Sequence, residues 1–196
     1  MLNVLIVGVG GQGIVLAAKI LAQAATEKGW QVRTAETIGM AQRGGNVASH
    51  VRMGNLGEEV YASLVPKGRA DCVIALEPGE GLRALPYLAS DGLLVSAQAG
   101  IASVAADLSG AHYDPTSALE HLVQVVPHFV AVDDEAIGKA AGSRKALNVG
   151  MLGAAVRASN ERGCGLKDAL SLDDLKAALA VCVKPQFLDM NLKVLD

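Results

Sequence analysis

A three-layer α/β sandwich around a mostly parallel sheet is the fold this sequence predicts, and three observations predict it. Short, uninterrupted β-branched runs such as Val4-Leu5-Ile6-Val7 alternate with segments of helical apolar spacing. Runs of that kind mark strands buried on both faces, as in parallel sheets. The core must also be built from small aliphatic side chains, because aromatics are 3% of the 196 residues while 51% are hydrophobic. Glycine, finally, occurs 22 times, well above the ~7% of average usage, which suits elements that approach one another closely.

The elements follow in order. Residues 3–8 read as the first strand, and residues 12–28 as a helix with Ile14, Ala17, Ala18, Leu21, Ala24 and Ala25 on one side and Gly29 as its stop. Gln31–Thr37 is a second strand, completing a right-handed βαβ start. Val47, Ser49 and Val51 then alternate with Ala48, His50 and Arg52, a half-exposed strand. Residues 53–57 are turn-like, and Glu59–Leu64 reads as a return strand, so a hairpin over residues 46–64 is expected as an antiparallel insertion. Asp71–Leu76, Gly92–Ala97 and His128–Val132 continue the sheet. Helices are expected over 78–88, 115–125, 135–141, 148–162 and 171–182, the last opening on the capping-box-like Ser171-Leu172-Asp173-Asp174. Residues 1–196 form one domain in this reading, with 185–196 as an apolar tail carrying Phe187, Leu188, Met190 and Leu192. Such a tail either covers a partner or folds back on its own domain.

Composition excludes several classes of function. Seventeen basic against 20 acidic residues give −3 at pH 7, so the basic footprint of a nucleic-acid binder is absent. No apolar run approaches the ~18 residues of a membrane helix. Cys72, Cys164 and Cys182 are odd in number and far apart, with no C-x-x-C pair. That is a reduced, cytoplasmic pattern, not a disulfide framework or an iron–sulfur or zinc ligand set. Met1 runs directly into a strand, so no signal peptide is expected.

The sharpest motif is Gly8-Val9-Gly10-Gly11-Gln12-Gly13, after a strand and before a helix. Glycines there let backbone N–H groups approach an anion, and the helix dipole favours negative charge. Glu36, at the end of the second strand, is placed to accept from a ribose hydroxyl. In this context the motif favours anion or nucleotide binding over a tight turn packed without ligand, but it does not choose among NAD, flavin, CoA and bare phosphate. Gln42-Arg43-Gly44-Gly45 sets an arginine fork beside a glycine pair at the same sheet edge. His50 is a possible acid–base group, but a lone strand histidine is usually structural. Glu77 and Glu80 read as first-turn helix carboxylates. No complete catalytic set is found, and none of the histidines has metal-ligand spacing.

Taken together, Gly8–Gly13, the alanine-rich helix, Glu36 and Gly39-Met-Ala-Gln-Arg-Gly-Gly45 leading to Ser49-His-Val-Arg52 resemble the gamma-type domain of the 2-oxoacid:ferredoxin oxidoreductases. Weaker likeness extends to Leu85–Leu88, Asn148 and Asn191–Lys193. By length the chain is most similar to the free small subunits of the indolepyruvate-oxidising members. The resemblance implies a Rossmann-like accessory subunit of a cytoplasmic hetero-oligomer that decarboxylates an arylpyruvate to an acyl-CoA and reduces ferredoxin. It implies that thiamine diphosphate, magnesium and [4Fe–4S] clusters reside in a large alpha subunit, with none held by this chain alone. CoA is the ligand it suggests for the glycine loop and Arg43. The competing expectation is a free-standing NAD(P)-binding dehydrogenase or nucleotide-binding module, resting on Gly8, Gly10, Gly13 and Glu36.

Overall fold

A computed structural model of the chain describes residues 1–39, 45–100 and 114–195. The strands are β1 (Leu2–Val9), β2 (Gln31–Ile38), β3 (Asn46–Gly54), β4 (Ala70–Ala75), β5 (Leu88–Ala97) and β6 (His128–Val132). They form one sheet in the order β2-β3-β1-β4-β5-β6. The β1/β4, β4/β5 and β5/β6 ladders are parallel, whereas β3 is antiparallel to both neighbours. Five strands therefore point one way and β3 alone runs against them.

This corrects the expected hairpin. The antiparallel partner of β3 is β2, with Val32 opposite Met53 and Thr37 opposite Ala48. The other edge of β3 lies along β1, with Leu2 opposite Met53 and Gly8 opposite Val47. Both edges being taken, no backbone ladder is left for residues 59–64, which are not a strand. They cross the sheet face instead, held by side chains: the Arg33 Nε donates to the Val60 carbonyl at 3.3 Å and the Arg52 Nη1 to that of Ala62 at 3.0 Å. Val60 is buried whereas Tyr61 and Leu64 are exposed, so the segment lies against the sheet as a strap and not as a strand.

The helices are α1 (Ile14–Glu27), α2 (Pro78–Ala84), α3 (Pro115–Val125), α4 (Asp134–Ala141), α5 (Leu147–Arg162), α6 (Leu172–Cys182) and α7 (Pro185–Leu192). Alternate strand positions feed two cores, giving the three layers. On one face Val4, Ile6, Val51, Met53, Ile74 and Val95 pack with α1, α5 and α6; on the other Leu5, Val7, Val73 and Leu94 meet Ala84 of α2 and Leu122 of α3. Every residue of β1 is buried, as its continuous apolar run requires. The capping box of α6 is formed by Ser171 and Asp174.

Of the two expectations for residues 185–196, the structure shows the segment folded back on its own domain. Pro185 opens α7, where a missing N–H costs nothing at the first helical position, and the segment folds back. Leu188, Met190 and Leu192 pack against the larger core, and Val194 and Leu195 are buried within it. The Arg157 Nη1 donates to the Leu195 carbonyl at 3.2 Å. No helix among the described residues is long and apolar enough to cross a membrane.

Candidate functional site: the glycine-loop cleft

The turn from β1 into α1 is built around two constraints. A Cβ on Gly8 would lie 2.5 Å from the Gln12 Oε1 and 3.1 Å from the Leu76 Cβ, so a larger residue there would force β1 and β4 apart. Gly13, the N-cap of α1, has φ 80°, a left-handed conformation that disfavours side chains. Gln12 clamps the turn. Its Oε1 accepts from the Val9 N–H at 2.6 Å and its Nε2 donates to the Leu76 carbonyl at 2.7 Å. Both polar ends of Gln12 therefore hold the loop's shape.

Because Gly13 has no side chain, α1 carries no side-chain cap. The first N–H groups of a helix have no intrahelical acceptor, so this end of α1 presents donors and the positive end of the dipole. It opens into a cleft of about 440 Å³ at the carboxyl ends of β1, β4 and β5, lined by Gly11, Gln12, Gly13 and Leu16 on one side and Asp134, Arg144, Lys145 and Asn148 on the other. That edge is where open α/β sheets place ligands.

The cations across the cleft are Arg144 and Lys145, on the short 3₁₀ turn that leads into α5. The Arg144 Nη2 lies 3.2 Å from the Asp134 Oδ2, and the Asp134 Oδ1 accepts from the Ala99 N–H at 2.9 Å. Asp134 is buried, whereas the Arg144 side chain is 72% exposed, so its guanidinium keeps most of its donors toward solvent and cleft. Asn148 is buried at the start of α5. Its Nδ2 donates to the Gly13 carbonyl at 3.0 Å. Exchanging the amide's O and N would set two acceptors against each other, so this contact fixes its orientation. The Asn148 Oδ1 is then left with no hydrogen-bond partner among the described residues. A buried orphan acceptor beside a ligand cleft is one that a ligand donor would satisfy.

The residues singled out in the sequence distribute as follows. Gly8, Gly10, Gly11, Gln12 and Gly13 form the loop, and Gly45 joins it because the Gly10 N–H donates to the Gly45 carbonyl at 2.9 Å. That amide is thereby engaged and is not a free donor. Gln42, Arg43 and Gly44 lie outside the described residues. Glu36 is not brought to the cleft. It sits exposed on β2, paired with Ser49, which pairs in turn with Ile6. Two strand spacings of ~4.8 Å separate β2 from β1, because β3 occupies the position a simple βαβ unit would give to β2. Arg144, Lys145 and Asp134 were missed by sequence reasoning; they lie over 120 residues from the loop, and only Asn148 carried a trace of signal.

Elsewhere, Glu77 caps α2, accepting from the Glu80 N–H at 2.9 Å. Burial pushes the Cys72, Cys164 and Cys182 thiols up from their ordinary range, which disfavours their thiolate forms. Among the described residues no group of three or more His, Cys, Asp or Glu side chains is placed to hold a metal ion.

Against known proteins, the profile of the family described as pyruvate ferredoxin/flavodoxin oxidoreductase matches residues 3–196. The chain belongs to that family. Within this oxidoreductase family it is 34% identical over 196 residues to the indolepyruvate oxidoreductase subunit IorB of Pyrococcus horikoshii, covering 99% of this chain and 92% of that one. The IorB subunit of Archaeoglobus fulgidus is 36% identical over 195 residues, with the same coverage. Among solved structures, the gamma subunit of a keto/oxoacid ferredoxin oxidoreductase from Geobacter sulfurreducens superposes with a TM-score of 0.68 at 22% identity, covering 100% of this chain and 94% of that one. The 2-oxoglutarate:ferredoxin oxidoreductase of Magnetococcus marinus, with 2-oxoglutarate, coenzyme A and succinyl-CoA bound, gives the same score at 20% identity; the match covers this whole chain but 30% of the larger one. These two share the fold. The chain is an accessory subunit of a 2-oxoacid:ferredoxin oxidoreductase.

Proposed function

We propose that this subunit serves an oxidoreductase that converts an arylpyruvate such as indolepyruvate to its acyl-CoA, and that its glycine-loop cleft holds the phosphate-bearing end of CoA. One observation carries the reading: the uncapped end of α1 faces Arg144 and Lys145 across a 440 Å³ cleft, within the ~300–1,000 Å³ range of ligand sites. The amides beyond Gly10 and the two cations suit a pyrophosphate. The Asn148 Oδ1 and Asp134 add acceptors for hydroxyl or amino groups. The substrate name comes from the IorB relatives, and CoA in the Magnetococcus complex supports the ligand class.

In this reading the partner is a large alpha subunit bearing thiamine diphosphate, magnesium and [4Fe–4S] clusters, with ferredoxin as the electron acceptor. Those groups supply the decarboxylation and electron transfer. This chain's own residues bind and orient the thiol carrier's charged end. The competing reading, a free-standing NAD(P) dehydrogenase, drew on Glu36; with Glu36 on the outer strand, it loses its ribose partner at the loop.

The test pairs calorimetry with reconstitution. CoA should bind the full chain or its complex, and Arg144→Met should weaken it about tenfold, as loss of a charge-assisted contact does. NADH binding without CoA binding would overturn the ligand assignment. A large subunit that reduces ferredoxin fully with indolepyruvate and CoA, and never associates with this chain, would overturn the assignment of subunit and substrate.

A further inference from the structure

A second cleft lies on the opposite face of the sheet, between β3 and α2. It has a volume of about 220 Å³ and is lined by Leu5, Val7, Thr37, Asn46, Ala48, His50, Glu80, Arg83, Ala84 and Tyr87. Its floor is apolar: Leu5 and Val7 are buried and Ala48 packs beside them. Its walls are not. His50 is only 3% exposed, its ring edge-on to Tyr87 with centroids 6.0 Å apart.

The tautomer of His50 follows from one contact. The Val65 N–H donates to its Nδ1 at 3.2 Å, so Nδ1 is the bare nitrogen and the neutral ring carries its proton on Nε2. The N–H at Nε2 is the ring's remaining donor, and the ring lines the cleft. Burial also holds His50 below the usual histidine range, which keeps that tautomer uncharged near neutrality.

Glu80 and Arg83 form the other wall, an ion pair between a buried carboxyl and a guanidinium that is 67% exposed. Burial pushes Glu80 up from its ordinary value. The cleft thus offers an imidazole N–H, a guanidinium and an apolar floor. Its volume is below the ~300–1,000 Å³ of drug-sized sites, which limits the occupant to a small molecule.

We propose that this cleft binds a small organic acid, its apolar body on Leu5, Val7 and Ala48 and its carboxylate held by the His50 Nε2–H and Arg83. The site is separate from the glycine-loop cleft, with the sheet between them, and is independent of the reading given above.

The experiment is an NMR titration of the full chain, following the His50 imidazole and the amides of β3 and α2, with phenylacetate as probe and phenylacetamide as the uncharged control. Phenylacetate should shift these signals saturably and phenylacetamide should not. Arg83→Met should weaken binding about tenfold. Because Arg83→Met leaves Glu80 without its cation, Glu80→Gln is the second variant, expected to keep or tighten binding. Arg144→Met, in the other cleft, should change nothing. The proposal is overturned if phenylacetate gives no saturable shift up to about 10 mM, if the amide binds as well as the acid, or if the shifts map to Gly11–Gly13 and Asn148.

Discussion

Replacing Gly13 by alanine tests whether the buried amide of Asn148 sets the shape of the glycine loop. Two costs combine. Gly13 has φ +80°, and holding a residue with a side chain in that region costs ~1–2 kcal/mol. The new Cβ would also lie 2.6 Å from the Asn148 Nδ2 and 3.1 Å from its Cγ. Asn148 is buried and tied to the Gly13 carbonyl, so it has little room to swing away, and overpacking of this kind costs a further ~1–3 kcal/mol. The sum is ~2–5 kcal/mol, a fall of roughly 4–20 °C in Tm at ~2–4 °C per kcal/mol for a domain of this size. Gly11 is the internal control. Its φ is +96° but nothing lies within 4 Å of a Cβ there, so Gly11→Ala should show the conformational cost alone. Thermal unfolding of both variants, and of each combined with Asn148→Ala, separates the terms. The excess cost of Gly13→Ala over Gly11→Ala should vanish once Asn148 is truncated. An excess that persists in that background, or no excess at all, would refute the steric account.

Two further expectations follow from the same structure. Leu195 is fully buried, so Leu195→Ala should cost ~2–5 kcal/mol by cavity formation; deletion of residues 185–196 should abolish a cooperative melt, and an unchanged melt would mean that α7 contributes nothing to the core. Burial holds His50 below its ordinary 6.5, so between the lowered pKa and 6.5 the unfolded chain binds the extra proton. Its contribution is full above about pH 6.5 and is lost as pH falls through the window below it. Denaturant unfolding from pH 7.5 down to 5 should show stability dropping, and the His50→Gln variant should flatten that part of the profile.

What could be read from the sequence was what is local. β1, α1 and the glycine loop announce themselves because a β-branched run, a glycine cluster and a helical stripe are contiguous. The capping box of Ser171 and Asp174 is legible for the same reason. The place of β3 is not, since alternation over Val47, Ser49 and Val51 fixes a strand but not its neighbours. Once β3 lies between β2 and β1, two readings fail together: Glu36 is carried away from the loop, and residues 59–64 lose the edge they needed. The cleft's cations were illegible because a 3₁₀ turn brings Arg144 and Lys145 to Gly13 only through tertiary packing. The C-terminal apolar residues were visible, yet whether they covered this domain or another required coordinates.

The position of β3 also governs how the molecule assembles. A strand set between two others that run the same way must meet both in one alignment, since its side chains alternate between the two cores. Sliding it by a single residue would exchange Val47, Ser49, Val51 and Met53 for Ala48, His50 and Arg52 on each face at once, so an error in one ladder is an error in both. The short-range β2–β3 pair involves less loop closure than joining β3 to β1. It is therefore expected to form as a unit and dock through its inner edge, making β3 the template against which the outer third of the sheet is proofread.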